Sequence, residues 1–230
     1  MHIAGVDGCR GGWLCVEQID NTVRGQVFKS FSELIDALTA ASIIAIDVPI
    51  GLPDAGERPC DKSARKYLRP PRASSVFPAP IRTVISESDY QLACEKHRQI
   101  DGRALSKQTF AILGKIFEVD AVLSAQPSLQ QRVREVHPEA CFATWNNETP
   151  MQHNKAKQVG RVERESLIDA EWPGHRTKLV AEMSGLDFRR DDLNDAFAAL
   201  WTAKRILLGT ARVLGPQTKD RYGLRMEMWT

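Results

Sequence analysis

The sequence predicts an α/β fold built on one mixed sheet, in which an antiparallel three-strand meander is joined by parallel strands and flanked by helices. Three observations support this prediction. Apolar runs at about residues 3–7, 13–19 and 22–28 are separated by short turns, as in a meander. A helical pattern then precedes an aliphatic run at 43–47, which indicates a crossover and a parallel return. A long acidic helix near 191–208 completes the pattern.

The first elements follow from local signals. Asp20 and Asn21 supply the turn between the second and third strands. Ser32 is expected to cap a helix that ends near Ala41. If the run at 43–47 is parallel to the first strand, both strands end at the same edge of the sheet, where open α/β sheets place their functional residues.

A Pro/Arg-rich insertion at about 49–85 follows the fourth strand and is too long for a plain connector. We predict a short helix at about 61–67 inside it and expect the segment to overhang the end of that strand. It is either a lid or substrate-gripping loop, or a surface excursion whose charges are solvated. The basic side chains that we expect to contact substrate are Arg65, Arg69 and Arg72.

The remaining chain alternates helical and strand patterns. The predicted helices lie at about 89–99, 107–124, 155–170 and 177–183. The buried stripe expected for the helix at 107–124 consists of Phe110, Leu113, Phe117 and Val122. A strand at 132–136 leads into Pro138, which suits the first turn of a helix. Alternation of apolar and charged residues over 224–228 predicts a terminal strand or hairpin arm.

Composition bounds the class of function. We treat residues 1–230 as a single domain, because no repeat or low-complexity segment divides them. The 31 basic and 29 acidic residues leave a formal charge of +2, which gives no support for an avid, nonspecific nucleic-acid binder. Five cysteines without a C-x-x-C pair argue against a disulfide framework or a structural zinc site. With no signal peptide and no apolar span of ~20 residues, we expect a cytoplasmic protein without membrane contact.

Five acidic side chains lie at the ends of the predicted elements. Asp7 follows the first strand and opens a glycine-rich turn, and Asp47 follows the fourth strand before a Pro/Gly loop. Glu135 lies at the carboxyl end of the next strand. Asp192 and Asp195 project on one side of the first turn of the last helix, above alanines small enough to let that helix approach the sheet closely. The topology therefore predicts a shared carboxylate site.

Carboxylates that converge without matching cations repel one another, so this arrangement favours a divalent metal site. Oxygen ligands select hard ions such as Mg²⁺ or Mn²⁺. In phosphodiester hydrolysis, two such ions roughly 3.5–4 Å apart activate water and stabilise the leaving oxygen. Asp7, on the central strand, is our candidate bridge between them.

Each of these residues also has a plainer explanation. An aspartate after a strand commonly hydrogen-bonds its own turn, and Asp191, Asp192 and Glu139 are placed to cap helices. His137, one strand period beyond Glu135, is either a proton shuttle or phosphate contact for substrate, or a satisfied core histidine.

Four ordered motifs carry a resemblance that covers nearly the whole chain. The motifs are VDGCRGGW at 6–13, IDVPIGLP at 46–53, EVHPEACF at 135–142 and DLNDA at 192–196. Together with the order of elements they resemble the ribonuclease H-like fold and, more closely, a family of uncharacterised proteins described as predicted ribonuclease H-like nucleases. The resemblance implies a nuclease whose activity is itself a prediction.

Within the wider fold, the pair Asp192 and Asp195 is similar to that of the resolvase branch, including RuvC-type Holliday-junction enzymes. In that branch a first-strand aspartate, an acid at the fourth strand and two helical acids bind the metals. The resemblance therefore implies that Asp7 and the helical pair are ligands. The middle ligand stays open between Asp47, which is shorter than the glutamate common there, and Glu135.

The leading hypothesis is a Mg²⁺- or Mn²⁺-dependent nuclease that acts on DNA or RNA, including structured or branched forms, by a two-metal mechanism. A homodimer would suit a two-strand substrate. One alternative is a non-catalytic module that binds nucleic acid or protein through the Pro/Arg insertion. The other is an actin-like nucleotide-binding phosphotransferase, which a chain of 230 residues without a repeat scarcely accommodates.

Overall fold

The computed structural model describes residues 1–230 and places a five-stranded sheet at the centre of the fold. The strands are β1 His2–Cys9, β2 Gly12–Ile19, β3 Thr22–Phe28, β4 Ile43–Ile46 and β5 Val133–Glu135. Their spatial order is β3-β2-β1-β4-β5. β1 to β3 form an antiparallel meander, whereas β4 is parallel to both β1 and β5. The mixed sheet and the parallel return are confirmed.

Helices cover both faces of the sheet, as predicted. They are α1 Phe31–Ala37, α2 Pro59–Leu68, α3 Tyr90–Asp101, α4 Lys107–Ala111, α5 Leu113–Ala125, α6 Pro138–Trp145, α7 Gln158–Glu171, α8 His175–Glu182 and α9 Arg190–Leu207. The apolar residues of α1 and α5 pack on one face. Those of α6, α7, α8 and α9 pack on the other. None of these helices combines the length and apolar composition needed to cross a bilayer.

Two local predictions are wrong. The side chain of Ser30, not Ser32, caps α1 by accepting the N–H of Glu33 at 3.2 Å, so the helix begins and ends earlier than expected. The predicted helix at 107–124 is interrupted at Ile112, and the restart of the helix rotates its buried stripe. Phe117 is therefore 47% exposed. The side chains of α5 that are buried are Leu113, Ile116, Val119 and Leu123.

The predicted terminal strand is one arm of a hairpin, β6 Val213–Lys219 and β7 Arg225–Trp229. β6 had no clear signal in the sequence, because Gly215 and Pro216 interrupt its apolar alternation and a register shift follows Leu214. Trp229 extends the hairpin toward the central sheet through a parallel bridge to Val136.

The Pro/Arg insertion is a packed part of the fold. It contains α2 and two 3-10 turns, Arg72–Ser75 and Arg82–Val84. Apolar residues from α2, α6 and the terminal hairpin form one buried cluster, which consists of Cys60, Ala64, Leu68, Val76, Ala140, Ala143, Leu214, Met226 and Met228. This packing rules out a surface excursion whose charges are merely solvated.

The backbone of α9 lies directly on β1 at Gly5. A Cβ atom at this position would lie 2.1 Å from the backbone nitrogen of Leu200 and 2.2 Å from the carbonyl oxygen of Ala196. The buried alanines of α9 permit this approach from the helix side, as the sequence predicted. The contact fixes the height of α9, and with it the position of its acidic first turn, above the sheet.

Gly5→Ala is expected to lower the free energy of unfolding by about 2–3 kcal/mol, because the helix backbone must move away from the sheet. Urea unfolding measures this difference. The matched control is Gly114→Ala in α5, where a Cβ meets nothing within 4 Å and where alanine favours the helix. Equal stability of the two variants would show that α9 is not held at this contact.

Candidate functional site

Strand alternation places Asp7 and Asp47 on the sheet face that α9 covers. Ile3 of β1 and Ala45 of β4 pack in the same buried cluster as α9, and successive odd positions of a strand share a face. β1 and β4 are parallel and in register, with Val6 beside Ile46. The aspartates that follow these two partners therefore lie side by side at the carboxyl edge of the sheet.

Asp195, from the second turn of α9, completes a group of three buried or partly buried carboxylates. Only 2% of its surface is exposed. Burial, followed by the charges of Asp47 and Asp195, raises the pKa of Asp7 well above its usual range. The carboxylates of Asp7 and Asp47 accept no hydrogen bond from the protein, so their oxygens are free to bind a cation. We call Asp7, Asp47 and Asp195 the acidic group.

Lys155 supplies a positive charge to the acidic group. Its Nζ atom donates a hydrogen bond to Oδ2 of Asp195, and the charges of Asp195, Asp7 and Asp47 all raise the pKa of the lysine. The loop that carries it is anchored, because the carboxylate of Glu163 accepts the N–H groups of Gln152 at 2.8 Å and His153 at 3.1 Å.

No pattern in the sequence indicates this role of Lys155. It was expected to begin the helix at 155–170, but α7 begins at Gln158 and Lys155 lies on the preceding loop. The contact joins residues that are 40 positions apart, and no spacing rule predicts such a pairing.

Asp192 lies at the rim of the acidic group and also caps α9. Its Oδ2 atom accepts the backbone N–H of Arg189 at 2.8 Å. Burial, and further the charges of Asp191 and Asp195, raise its pKa. One carboxylate oxygen is thus engaged in the cap, which leaves Asp192 fewer free oxygens than Asp7 or Asp47.

Glu135 lies on the opposite face of the sheet, and the structure does not bring it to the acidic group. In β5, Val133 packs with α1 and α5, and Glu135 shares its face because it is two residues further on. Both oxygens of Glu135 bind the guanidinium of Arg58, at 2.6 and 2.7 Å. The backbone N–H of Ile50 donates to the same carboxylate at 2.6 Å.

Cys60, Asp61 and Glu135 form the tightest group of potential ligands, with one ligand atom of each within 4.8 Å of the others. The cation in this group is the guanidinium of Arg58, which also binds Asp61 at 2.5 and 3.2 Å. Burial raises the pKa of the Cys60 thiol to about 12, so it stays protonated and is a poor ligand. These residues are a buried ion-pair network.

Two neighbours of Asp47 come from the start of α6. His137 lowers the pKa of the Asp47 carboxyl through its charge, its Nε2 atom lies 3.3 Å from the carbonyl oxygen of Ser75, and its Nδ1 atom is buried without a partner. Glu139 raises the pKa of Asp47 and Asp195. Glu139, which was expected only to cap a helix, thus also places a charge beside the site. Its carboxylate accepts two hydrogen bonds from Arg164, at 2.6 and 2.8 Å.

The three arginines expected to contact substrate have different surroundings. Arg65 binds the carboxylate of Glu57 and, at 3.0 Å, the carbonyl oxygen of Val76. Its guanidinium therefore hydrogen-bonds within the insertion. Arg72 is half-buried. Arg69 is exposed and lines a surface cleft. None of the three hydrogen-bonds to the acidic group.

Comparison with known proteins identifies the family to which the chain belongs. A family model described as "Protein of unknown function (DUF429)" matches residues 5–219. The chain belongs to this family. Neither a curated protein nor a solved structure matches the chain significantly. The DUF429 match runs from β1 to the end of β6 and thus contains all three residues of the acidic group.

The donors of this DUF429 site fit a hard divalent cation. Asp7, Asp47 and Asp195 offer only carboxylate oxygens, the ligand type that Mg²⁺ and Mn²⁺ prefer. Two of the three carboxylates have no hydrogen-bond donor from the protein, and the single lysine leaves the group with excess negative charge. A divalent cation would offset that charge.

The titration of Asp47 predicts how the stability of the metal-free protein depends on pH. Burial is the main cause that raises the pKa of Asp47 to about 6, whereas the unfolded chain loses this proton at about pH 4. The folded state binds more protons in this window, so its stability falls as the pH rises. Allowing for partial exposure of the side chain, we expect a loss of about 1–2 kcal/mol.

Asp47→Asn cannot titrate and removes this penalty. In EDTA, its stability advantage over the wild type should therefore grow from near zero at about pH 4 to about 1–2 kcal/mol at pH 7. Urea unfolding at several pH values measures the difference. An advantage that is independent of pH would contradict the assigned titration.

Proposed function

We propose that this chain is a divalent-metal-dependent nuclease of ribonuclease H-like fold that hydrolyses phosphodiester bonds in nucleic acid. The observation that carries the proposal is the acidic group itself. Asp7 and Asp47 lie side by side at the carboxyl edge of parallel strands, without hydrogen-bond donors from the protein, and Asp195 of α9 faces them. The meander, parallel return and acidic final helix support the proposed fold.

Each residue of the acidic group has a distinct role in the proposed reaction. When bound, Mg²⁺ or Mn²⁺ ions activate water and stabilise the leaving oxygen. Asp7 would be the central metal ligand, since the charges of both Asp47 and Asp195 act on it. Asp47 and Asp195 would also hold the metal. We assign Asp47 rather than Glu135 as the ligand left open in the sequence, because Glu135 faces the other side of the sheet and binds Arg58.

Two further residues would act on substrate at this site. His137, beside Asp47, is positioned to transfer a proton or to contact a phosphate oxygen. Lys155 places an ammonium group at the acidic group, where it would stabilise negative charge on the phosphate. Asp192 contributes charge from the rim.

Lys155→Met is expected to tighten Mn²⁺ binding by about 5- to 10-fold, because the ammonium group of Lys155 competes with the ion for Asp195. Calorimetric titration of Mn²⁺ measures the change. Lys157→Met, two residues along the same loop at an exposed position, is the matched control and should bind Mn²⁺ as the wild type does. Weaker binding by Lys155→Met would show that the lysine supports the site.

Hydrolysis of nucleic acid tests the proposal directly. The wild-type protein is incubated with labelled single-stranded, duplex and branched DNA and RNA in Mg²⁺, Mn²⁺ or EDTA. We expect cleavage of at least one substrate with metal and none in EDTA. Mn²⁺ binding without cleavage of any substrate would overturn the nuclease and favour the non-catalytic module. The same panel, with protein concentration varied, tests the predictions of DNA or RNA preference and of a homodimer.

A further inference from the structure

A surface cleft of about 510 Å³ lies away from the acidic group, between the end of α2, the loop after α6 and the start of β6. Its charged and aromatic walls are Tyr67, Arg69, Glu148 and Arg212. The guanidinium of Arg212 lies 4.8 Å from the centre of the Tyr67 ring and is paired with Glu148. Arg69 makes no hydrogen bond within the protein through its side chain. The cleft therefore contains one paired and one free guanidinium.

Arg205 adds a third guanidinium beside this cleft. The charges of Glu148 and Arg212 both act on it, which places it near them. Its Nη2 atom donates to the carbonyl oxygen of Thr210 at 2.7 Å, but its Nη1 atom is buried and has no hydrogen-bond partner. An unpaired buried donor is costly, and an anionic acceptor would satisfy it. Three arginines and Glu148 leave this region with a net charge of about +2.

The backbone at both ends of the cleft is strained. Arg69 has φ 54° and ψ 167°, a region occupied almost only by glycine. Glu148 has φ 62° and follows Asn147, with φ 51°. Three of the four non-glycine residues with positive φ thus lie at this cleft or next to it, the fourth being Asp20 in a hairpin turn. Such strain concentrates where side chains must be held in place for binding.

We propose that this cleft binds a phosphate group of the nucleic-acid strand that enters the acidic group, through Arg69 and Arg212 with Arg205 behind them. The inference rests on the proposed function. α6 links the two sites, since His137 precedes its first turn near Asp47 and Glu148 follows its last. Eight residues of helix span about 12 Å, which corresponds to about three to four nucleotides of duplex rise. The bound phosphate is thus in the flanking part of the substrate.

Binding of a fluorescein-labelled single-stranded dT12 oligonucleotide in EDTA tests this site without hydrolysis. At about 100 mM salt, Arg69→Gln is expected to weaken binding about 3-fold, and the double variant with Arg212→Gln about 10-fold, with a shallower salt dependence. Arg24→Gln, at an exposed arginine of β3, is the matched control and should bind as the wild type does. If both cleft variants bind dT12 with the same affinity as the control variant, the proposal is overturned.

The single variant keeps the test valid if loss of the Arg212–Glu148 pair disturbs the fold, because Arg69 makes no side-chain hydrogen bond that could be lost. Inorganic phosphate, added at the same concentration as the phosphates of dT12, separates the two sources of the anion. We expect it to leave dT12 bound, since one ion replaces only one contact of the strand. Full displacement would identify a site for free phosphate and overturn the strand assignment.

Failure of this inference is distinguishable from failure of the proposed function. If dT12 binding depends on Arg69 but the wild type cleaves no substrate, the proposed nuclease activity is wrong and the proposed phosphate site in the cleft stands. If the wild type cleaves nucleic acid in a metal-dependent way but dT12 binding does not depend on Arg69, the nuclease activity stands and the proposed phosphate site is wrong.

Discussion

Asp7→Asn should abolish Mn²⁺ binding and lower the rate of nucleic-acid hydrolysis by at least about 10³-fold, which corresponds to about 4 kcal/mol of transition-state stabilisation. Asparagine keeps the shape of the side chain but removes the charge and one anionic ligand. The effect is large because the charges of both Asp47 and Asp195 act on Asp7, which makes it part of one shared carboxylate site. Calorimetry with Mn²⁺ and the cleavage rate of the best substrate measure the two losses.

The same substitution is expected to stabilise the metal-free protein. Burial and two neighbouring carboxylates raise the pKa of Asp7. A carboxyl whose pKa is higher in the folded than in the unfolded state lowers the stability as the pH rises above the unfolded-state pKa, and asparagine does not carry this cost. We expect a higher Tm for Asp7→Asn in EDTA, by about 2–4 °C for each kcal/mol regained. Mn²⁺ should raise the Tm of the wild type and leave that of the variant unchanged.

Asp36→Asn is the matched control, because Asp36 is an exposed residue of α1. It should bind Mn²⁺, cleave substrate and unfold as the wild type does. An Asp7→Asn variant that is less stable in EDTA and still active would show that this carboxylate is a structural turn residue, which is the plainer explanation of an aspartate after a strand.

The fold was predictable because its signals are local. Apolar runs and turn residues specify the meander, and the helix between β3 and β4 specifies the parallel return. The alanines of α9 predicted its close approach to the sheet, but the sequence did not identify Gly5 as the residue that α9 contacts. β6 escaped prediction because glycine and proline obscure a strand that is stabilised by pairing with β7.

The acidic group was predictable only in part, for a physical reason. Asp7 and Asp47 follow from strand parity and Asp195 from helix spacing, both of which are periodic in the sequence. Lys155 and Glu139 act through contacts with distant segments, which have no periodic signature. Once β4 and β5 are in register, parity alone assigns Glu135 to the face of Val133 and separates it from Asp47.

Arg58→Met is expected to lower the free energy of unfolding by about 3–5 kcal/mol, because it leaves Asp61 and Glu135 as two buried carboxylates without a cation. Arg58 and Asp61 are each 1% exposed and Glu135 is 3% exposed. The network also joins the insertion to the sheet, since Arg58 of the insertion binds the carboxylate of Glu135 in β5 at 2.6 and 2.7 Å. Urea unfolding measures the loss, and a variant within about 1 kcal/mol of the wild type would contradict it.

Glu135→Gln separates the structural role of this carboxylate from the role of a metal ligand. The network carries one positive and two negative charges, so removal of one negative charge from the wild type should cost much less than removal of Arg58. In the background of Arg58→Met, Glu135→Gln should restore part of the lost stability, because only Asp61 then stays unpaired. If Glu135 acts only in the network, the single variant keeps its Mn²⁺ affinity, whereas a metal ligand would lose it with little change in stability.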